Sequence, residues 1–205
     1  MATDVDICNL GLGFIGDAAE VSSVSPSDGS LQADHCQKFY PIARKAFMVE
    51  HEWSFATRRV DLASLGTPNT GFLYRYSEPN LVLKPMRVVL AGEEKETDFT
   101  REVDFATNKK IINSSISPAE LIYVFDQVNT LFYNPSAVIA IAYMTASFLV
   151  GPMKSGDQKM IDGLLKAYDY WWRKAAADDA NAEKRGGSDD NIETYTSGGM
   201  KARGY

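Results

Sequence analysis

Histidine and cysteine are scarce in this chain, with two of each in 205 residues. Metal centres and thiol or imidazole catalysis draw on those residue types, and their placement excludes more than their number does. His35 and His51 stand roughly four turns apart on any shared helix, too far to meet at one ion. Asp34, His35 and Cys36 are consecutive and point in different directions on a helix. His51, shortly before Trp53, reads as a helix C-terminal residue, favoured there by the dipole when protonated. Cys8 and Cys36 permit one disulfide at most. Both fall on apolar helical faces, where reduced core thiols are the expectation for a protein made in a cytosol.

Basic charge is also in short supply. Lys and Arg total 21 against 27 Asp and Glu, a net charge of −6. That balance argues against a protein that grips nucleic acid through its phosphates. It is compatible with one that surrounds DNA sliding past without binding. Long hydrophobic runs are missing too. The longest, residues 137–150, is broken by Thr145 and Ser147 and ends at Gly151-Pro152. It is short for a membrane span, so a buried helix and no membrane contact are expected. The opening Met-Ala-Thr-Asp-Val-Asp has no basic flank, which argues against a secretory leader. No internal repeat is evident.

The most informative stretch present is residues 31–63. Cys36, Tyr40, Ala43 and Phe47 recur at helical spacing and predict one buried face. Pro41 lies inside that helix, where it removes a backbone donor and crowds the preceding turn, predicting a kink or a split. Trp53 and Phe55 follow where the period changes from 3.6 to 2.

Around this stretch the sequence predicts helices at about 3–16, 31–52, 135–151 and 156–182, with strands within 55–126. Thr3 with Asp6 resembles a capping box, and Val5, Cys8, Leu12 and Ile15 form a stripe that ends at Gly16. Asn134-Pro135 supplies an N-cap followed by proline at the first helical position. Ser155 to Gln158 reads as another capping box. Met160, Leu164, Tyr168 and Trp171 mark an inner face, and residues 175–182 extend that helix with little to bury. In the middle third, Arg58, Val60 and Leu62 alternate with Arg59, Asp61 and Ala63. Pro85 assigns its strand to an edge or to two pieces. Asn108-Lys109 is a candidate hairpin turn. Leu121, Tyr123 and Phe125 alternate with Ile122 and Val124, as in a strand buried on both faces.

The expected fold is α+β, a helical bundle built from N- and C-terminal helices with a β-rich insertion between them. Residues 1–184 form one domain in this reading. Residues 185–205 form an extended C-terminal arm, rich in Gly, Ser and Asp, with Ile192, Tyr195, Met200 and Tyr205 isolated along it.

Chemistry-bearing motifs are few. Gly11, Gly13 and Gly16 match G-x-G-x-x-G, the signature of a nucleotide-binding oxidoreductase when a strand precedes it and a helix opens within it. Residues 17–30 contain Pro26, Gly29 and many serines, a poor crossover helix. The alternative is that the glycines let another helix approach closely. Arg58-Arg59 and Lys109-Lys110 are compact basic pairs, suited to DNA or a partner's carboxylates, or to the blander role of blocking edge pairing of a strand. Trp171 and Trp172 lie about 100° apart on a helix, so one is expected inside and the other, Trp172, exposed or at an interface, the alternative being that both pack within the chain across two neighbouring elements.

Several of these segments together resemble the head-to-tail adaptors of tailed phages, in particular tail tubular protein A of short-tailed phages. Members often show a Cys-bearing helix, a Tyr-Pro-X-Ala-Arg step, a Trp-X-Phe-Ala exit and an Arg-rich strand. Here these are Cys36, Tyr40-Pro41-Ile42-Ala43-Arg44, Trp53-Ser54-Phe55-Ala56 and Arg58-Arg59. Ile7-Cys8-Asn9-Leu10-Gly11 is similar to the family's opening helix. Tyr74-Arg75-Tyr76 with Pro79, and Pro85-Met86-Arg87-Val88, resemble its middle strands. The resemblance implies a structural virion protein without enzymatic activity or cofactor. It would be made in the host cytoplasm and placed at the head-tail junction. It also implies a closed ring of about twelve copies around the DNA channel, with the portal protein on one side and the nozzle, tail tubular protein B, on the other. Arg58, Arg59, Trp172, Ile192, Tyr195, Met200 and Tyr205 are the candidate contact residues; no catalytic, cofactor or metal residue is assigned.

Overall fold

The computed structural model describes residues 2–67 and 71–183. The arm expected at 185–205, with Ile192, Tyr195, Met200 and Tyr205, lies outside the described residues. Two helices, α1 (Asp4–Phe14) and α2 (Leu31–Val49), come first. Eight strands follow: β1 (Thr57–Asp61), β2 (Ser64–Gly66), β3 (Tyr74–Ser77), β4 (Val82–Leu90), β5 (Glu96–Thr97), β6 (Phe99–Asp104), β7 (Lys109–Ser114) and β8 (Ala119–Phe125). Helices α3 (Pro135–Met153) and α4 (Gln158–Glu183) complete an α+β fold.

The strands form two four-stranded antiparallel sheets, ordered β1-β8-β4-β5 and β2-β3-β7-β6. Strand β8 explains how they stack. Its Val124 joins the helical core, while Leu121, Tyr123 and Phe125 join a second core with Tyr76 and Ile112 of the other sheet. The first sheet is therefore the middle layer between helices and second sheet, and β8 is buried on both faces as its unbroken apolar run predicts.

The helix ends follow the local signals closely. Thr3 and Asp6 form the reciprocal capping box, with the Thr3 amide donating to Asp6 at 2.8 Å and the Asp6 amide donating to Thr3 Oγ1 at 3.1 Å. Asn134 accepts from the Ala137 amide at 2.7 Å. Gly16, at φ +71°, supplies the left-handed turn after α1.

Other expectations are corrected. Helix α2 runs through Pro41 without splitting and ends at Val49 rather than near residue 52. Its stripe Cys36, Tyr40, Ala43 and Phe47 is buried as predicted. The cap before α4 is Asp157, which accepts from the Lys159 and Met160 amides, whereas Ser155 adopts φ +53°. Pro85 does not make β4 an edge strand, since β4 lies between β8 and β5. Its missing donor is accommodated because β5 pairs only with Val88 and Val89, and the register slips between Pro85 and Arg87. The end of α4 does bury side chains: Ala175 and Asp179 are both enclosed.

Helix α3 is long and apolar enough to cross a membrane by composition alone, yet 67% of its most apolar window is buried here. It packs against α1, α2 and α4, which accounts for its composition.

Candidate functional site

The joint between helices and sheets is where the distinctive residues of the sequence converge. Trp53 is fully buried, stacked on Phe47 at 4.4 Å between centroids and on Phe55 at 5.5 Å. Its indole Nε1 donates to the Phe47 carbonyl at 3.1 Å, satisfying the last turns of α2. Thr57 Oγ1 donates back to the Trp53 carbonyl at 2.8 Å, so the chain turns from helix to strand within one hydrogen-bonded step.

Two charged contacts lock this joint. Arg44 clasps Asp126, just after β8, through both arms of its guanidinium. Asp179 of α4 accepts from the Ser54 amide at 2.9 Å and from the Ser54 hydroxyl at 2.6 Å. Sequence reading assigned neither Arg44 nor Asp179 a buried role. A run of Asp near a helix end reads as a solvated face, and only its spacing from Ala175 on the inner stripe hints otherwise. Tyr40, beneath the Arg44 guanidinium, has its hydroxyl pushed up to about 12 by burial.

The other residues singled out in the sequence are dispersed. His35 stacks on Phe39, and His51 meets the edge of Trp53 at 4.7 Å. Cys8 and Cys36 are buried, free thiols on neighbouring helices. The hydrogen bond that Cys8 gives to Cys36, together with burial, pushes the Cys8 thiol up from its ordinary 9.0, away from the reactive thiolate. Among the described residues no three His, Cys, Asp or Glu side chains are grouped to hold a metal ion.

The glycine motif lies in α1, so residues 5–9 are helix where a dinucleotide fingerprint needs a strand. A Cβ on Gly11 would stand 3.2 Å from the Ala142 carbonyl, so this glycine brings α1 close to α3. Gly13 faces open space. The glycines also sit at the C-terminal end of the helix, where exposed carbonyls carry the wrong sign for phosphate.

Arg58 and Arg59 lie on β1, an edge of the first sheet. Arg58 covers the Phe125 ring at 3.6 Å, and Arg59 reaches Glu94 at 2.5 Å and Glu120 at 3.4 Å. Both are exposed, and both have intramolecular partners. Trp172 is half-buried against Trp53, 6.4 Å between centroids, and its buried Nε1 has no hydrogen-bond partner among the described residues. Trp171 instead meets Tyr170 edge-on and lies under Lys174. The inside-outside division expected of the tryptophans is thus replaced by two half-buried rings. Lys109 and Lys110 start β7 and line an open polar groove of about 530 Å³ with Glu78 and Asn80.

Sequence reading missed one surface. Val128, Leu131 and Phe132 are exposed in the connection from β8 to α3, beside an apolar recess lined by Pro135, Val138 and Ile139. Its only sequence signal is a cluster of large apolar residues in a segment flanked by the capping residues Asn129 and Asn134.

Comparison with known protein families finds none that matches this chain, and no curated protein matches it either.

Proposed function

We propose that the chain is a head-to-tail adaptor of a short-tailed phage, a non-enzymatic virion protein that joins the portal to the tail nozzle. In this reading α1 to α4 form a helical bundle, the two sheets are an insertion in it, and residues 185–205 are an extended arm. About twelve copies close into a ring around the DNA channel, with the portal protein and tail tubular protein B on opposite sides. DNA passes through without specific binding.

The observation that carries the proposal is the role of the residues behind the family resemblance. Cys36, Tyr40, Ala43, Arg44, Trp53 and Ala56 are all buried, and Arg44 and Trp53 sit at the joint of helices and sheets. Nucleophile, base and oxyanion donors do not gather there. Those residues fix the orientation of one body against another, which is what a load-transmitting ring subunit requires. The acidic balance of the chain, net −6, favours a channel wall that does not retain DNA.

The test is electron microscopy of the purified chain with and without a purified portal protein from a short-tailed phage whose tail genes neighbour this one. The expected result is a closed ring seated on the portal vertex. A chain that sediments apart from that portal at micromolar concentration, with no ring in any image, overturns the proposal. Tight DNA binding at physiological salt with a steep salt slope counts against the channel role.

A further inference from the structure

Two neighbouring recesses, uncovered by any described residue, form a groove-like face beside α1 and the first half of α3. One end, about 300 Å³, is lined by Ala2, Leu131, Tyr133, Pro135, Val138 and Ile139. The other, about 630 Å³, follows α1 past Asp6, Leu10, Phe14 and Glu20. The two belong to one face. Phe14 stacks on Tyr143 at 4.0 Å between centroids, and Tyr143 stands one turn along α3 from Ile139. Leu10 and Leu131, which line the two ends, are 40% and 55% exposed. A contiguous apolar surface of this kind marks an interaction site.

The path of α4 indicates what covers it. Asn134 Nδ2 donates to the Ala175 carbonyl at 3.2 Å, and Ser136 Oγ donates to Asp178 at 2.6 Å. Residue 183 therefore stands roughly 8 Å along the helix beyond Asp178, past the N-terminal end of α3. The sequence that continues from there matches the groove in chemistry. Residues 198–205 hold Met200 and Tyr205 with Lys201 and Arg203 and no acid. The groove offers apolar walls and an acidic rim at Asp6 and Glu20. Between the end of α4 and this basic stretch lie residues 184–197, up to about 45–50 Å of extended chain. That length suits a reach to a neighbouring subunit.

We propose that the groove of one copy binds residues 198–205 of a second copy, with Met200 and Tyr205 on the apolar walls and Lys201 and Arg203 against Asp6 and Glu20. The contact is head-to-tail, the kind of heterologous contact that a closed ring of identical chains needs. As part of a ring, it rests on the adaptor reading; as a contact between two copies, it stands separately.

The test uses the full-length chain with a photo-crosslinking amino acid at position 131, mixed with an equal amount of isotopically heavy full-length chain lacking it. Mass spectrometry of the crosslinked peptides is expected to join position 131 of the light chain to residues 198–205 of the heavy one. The double variant Lys201→Glu with Arg203→Glu is expected to lower that yield by about tenfold. Adding Glu20→Lys, at an exposed position outside the α1 capping box, is expected to restore part of it. Crosslinks confined to a single chain, crosslinks to other surfaces, or none at all each overturn the proposal. Sedimentation of the same samples separates the two readings. A ring without the crosslink overturns the groove assignment alone, whereas the crosslink without any closed ring supports the contact and overturns the ring.

Discussion

Arg44 holds Asp126 through two parallel hydrogen bonds, Nε to Oδ1 at 2.8 Å and Nη2 to Oδ2 at 2.9 Å. The side chains are 10% and 13% exposed, and they join α2 to the segment that leaves β8. Removing one partner strands a charge in a nearly dry site. Arg44→Met and Asp126→Leu should each cost about 3–5 kcal/mol, while the double variant should cost less than either. Urea denaturation of the three variants checks this. Single-variant losses below about 1 kcal/mol would place the pair with ordinary exposed ion pairs.

Phe47 and Trp53 present a second coupled pair. Each is fully buried, and they stack at 4.4 Å between centroids. Phe47→Ala and Trp53→Ala should each lower stability by about 3–5 kcal/mol. Because one cavity adjoins the other, the double variant should fall short of the sum by about 1 kcal/mol or more. Strict additivity in denaturation midpoints would show that the two rings act independently.

The glycines of α1 should respond in opposite directions. Gly11→Ala pushes a methyl toward the Ala142 carbonyl and the Ala146 amide, 3.2 and 3.5 Å away, and should destabilise by about 1–3 kcal/mol. Gly13→Ala meets open space and should stabilise by about 0.5–1 kcal/mol through helix propensity. Thermal melts of the two variants, shifted the same way, would contradict the close approach of α1 to α3.

Acid should loosen the N-terminal third first. The Asp6 carboxyl is held below its ordinary 3.8 by the Thr3 amide and hydroxyl. The Asp28 carboxyl is held lower still, by the Ser30 hydroxyl and the Ser22 and Ser30 amides. Carboxyls depressed in the folded state stabilise fully above their unfolded value, and that contribution disappears as pH falls through the folded one. Asp6→Ala with Asp28→Ala should therefore lower the melting temperature at neutral pH, and the gap should close toward about pH 2. A gap that stays constant with pH would show that neither carboxylate contributes through its charge.

Much of the fold was legible because its signals are local. Thr3 with Asp6, Asn134 with Pro135, and the stripe Cys36, Tyr40, Ala43 and Phe47 each declare themselves within one or two helical turns. The residues that assemble the joint do not. Arg44 finds Asp126 across 82 positions, and Ser54 finds Asp179 across 125. Nothing local distinguishes a charge that will be buried from one on a solvated face. The division of the strands between two sheets depends on pairings just as remote, such as β1 with β8. Pro85 misled for the same reason, since its cost depends on how far β5 extends alongside. For the candidate contact residues, Arg58 and Arg59 were placed on an exposed edge strand as their alternation suggested. Trp172 turned inward because Trp53, distant in sequence, offered its ring.

Strands β1 and β8 run antiparallel side by side, with Thr57 opposite Val124 and Asp61 opposite Glu120. The polypeptide thus departs from the helices and comes back to them at nearly the same point. The second sheet lies beyond that two-stranded stem, while β4 also rests on the helices through Leu83 and Met86. A loop closed so tightly at its base transmits little change in its own length to the body that carries it. Hairpins such as β6–β7, whose tip bears the fully exposed Phe105, are free to lengthen, shorten or exchange their tips while the four helices keep their packing. Diversification of this molecule toward new partners has its easiest path in those tips, and its hardest in the stem.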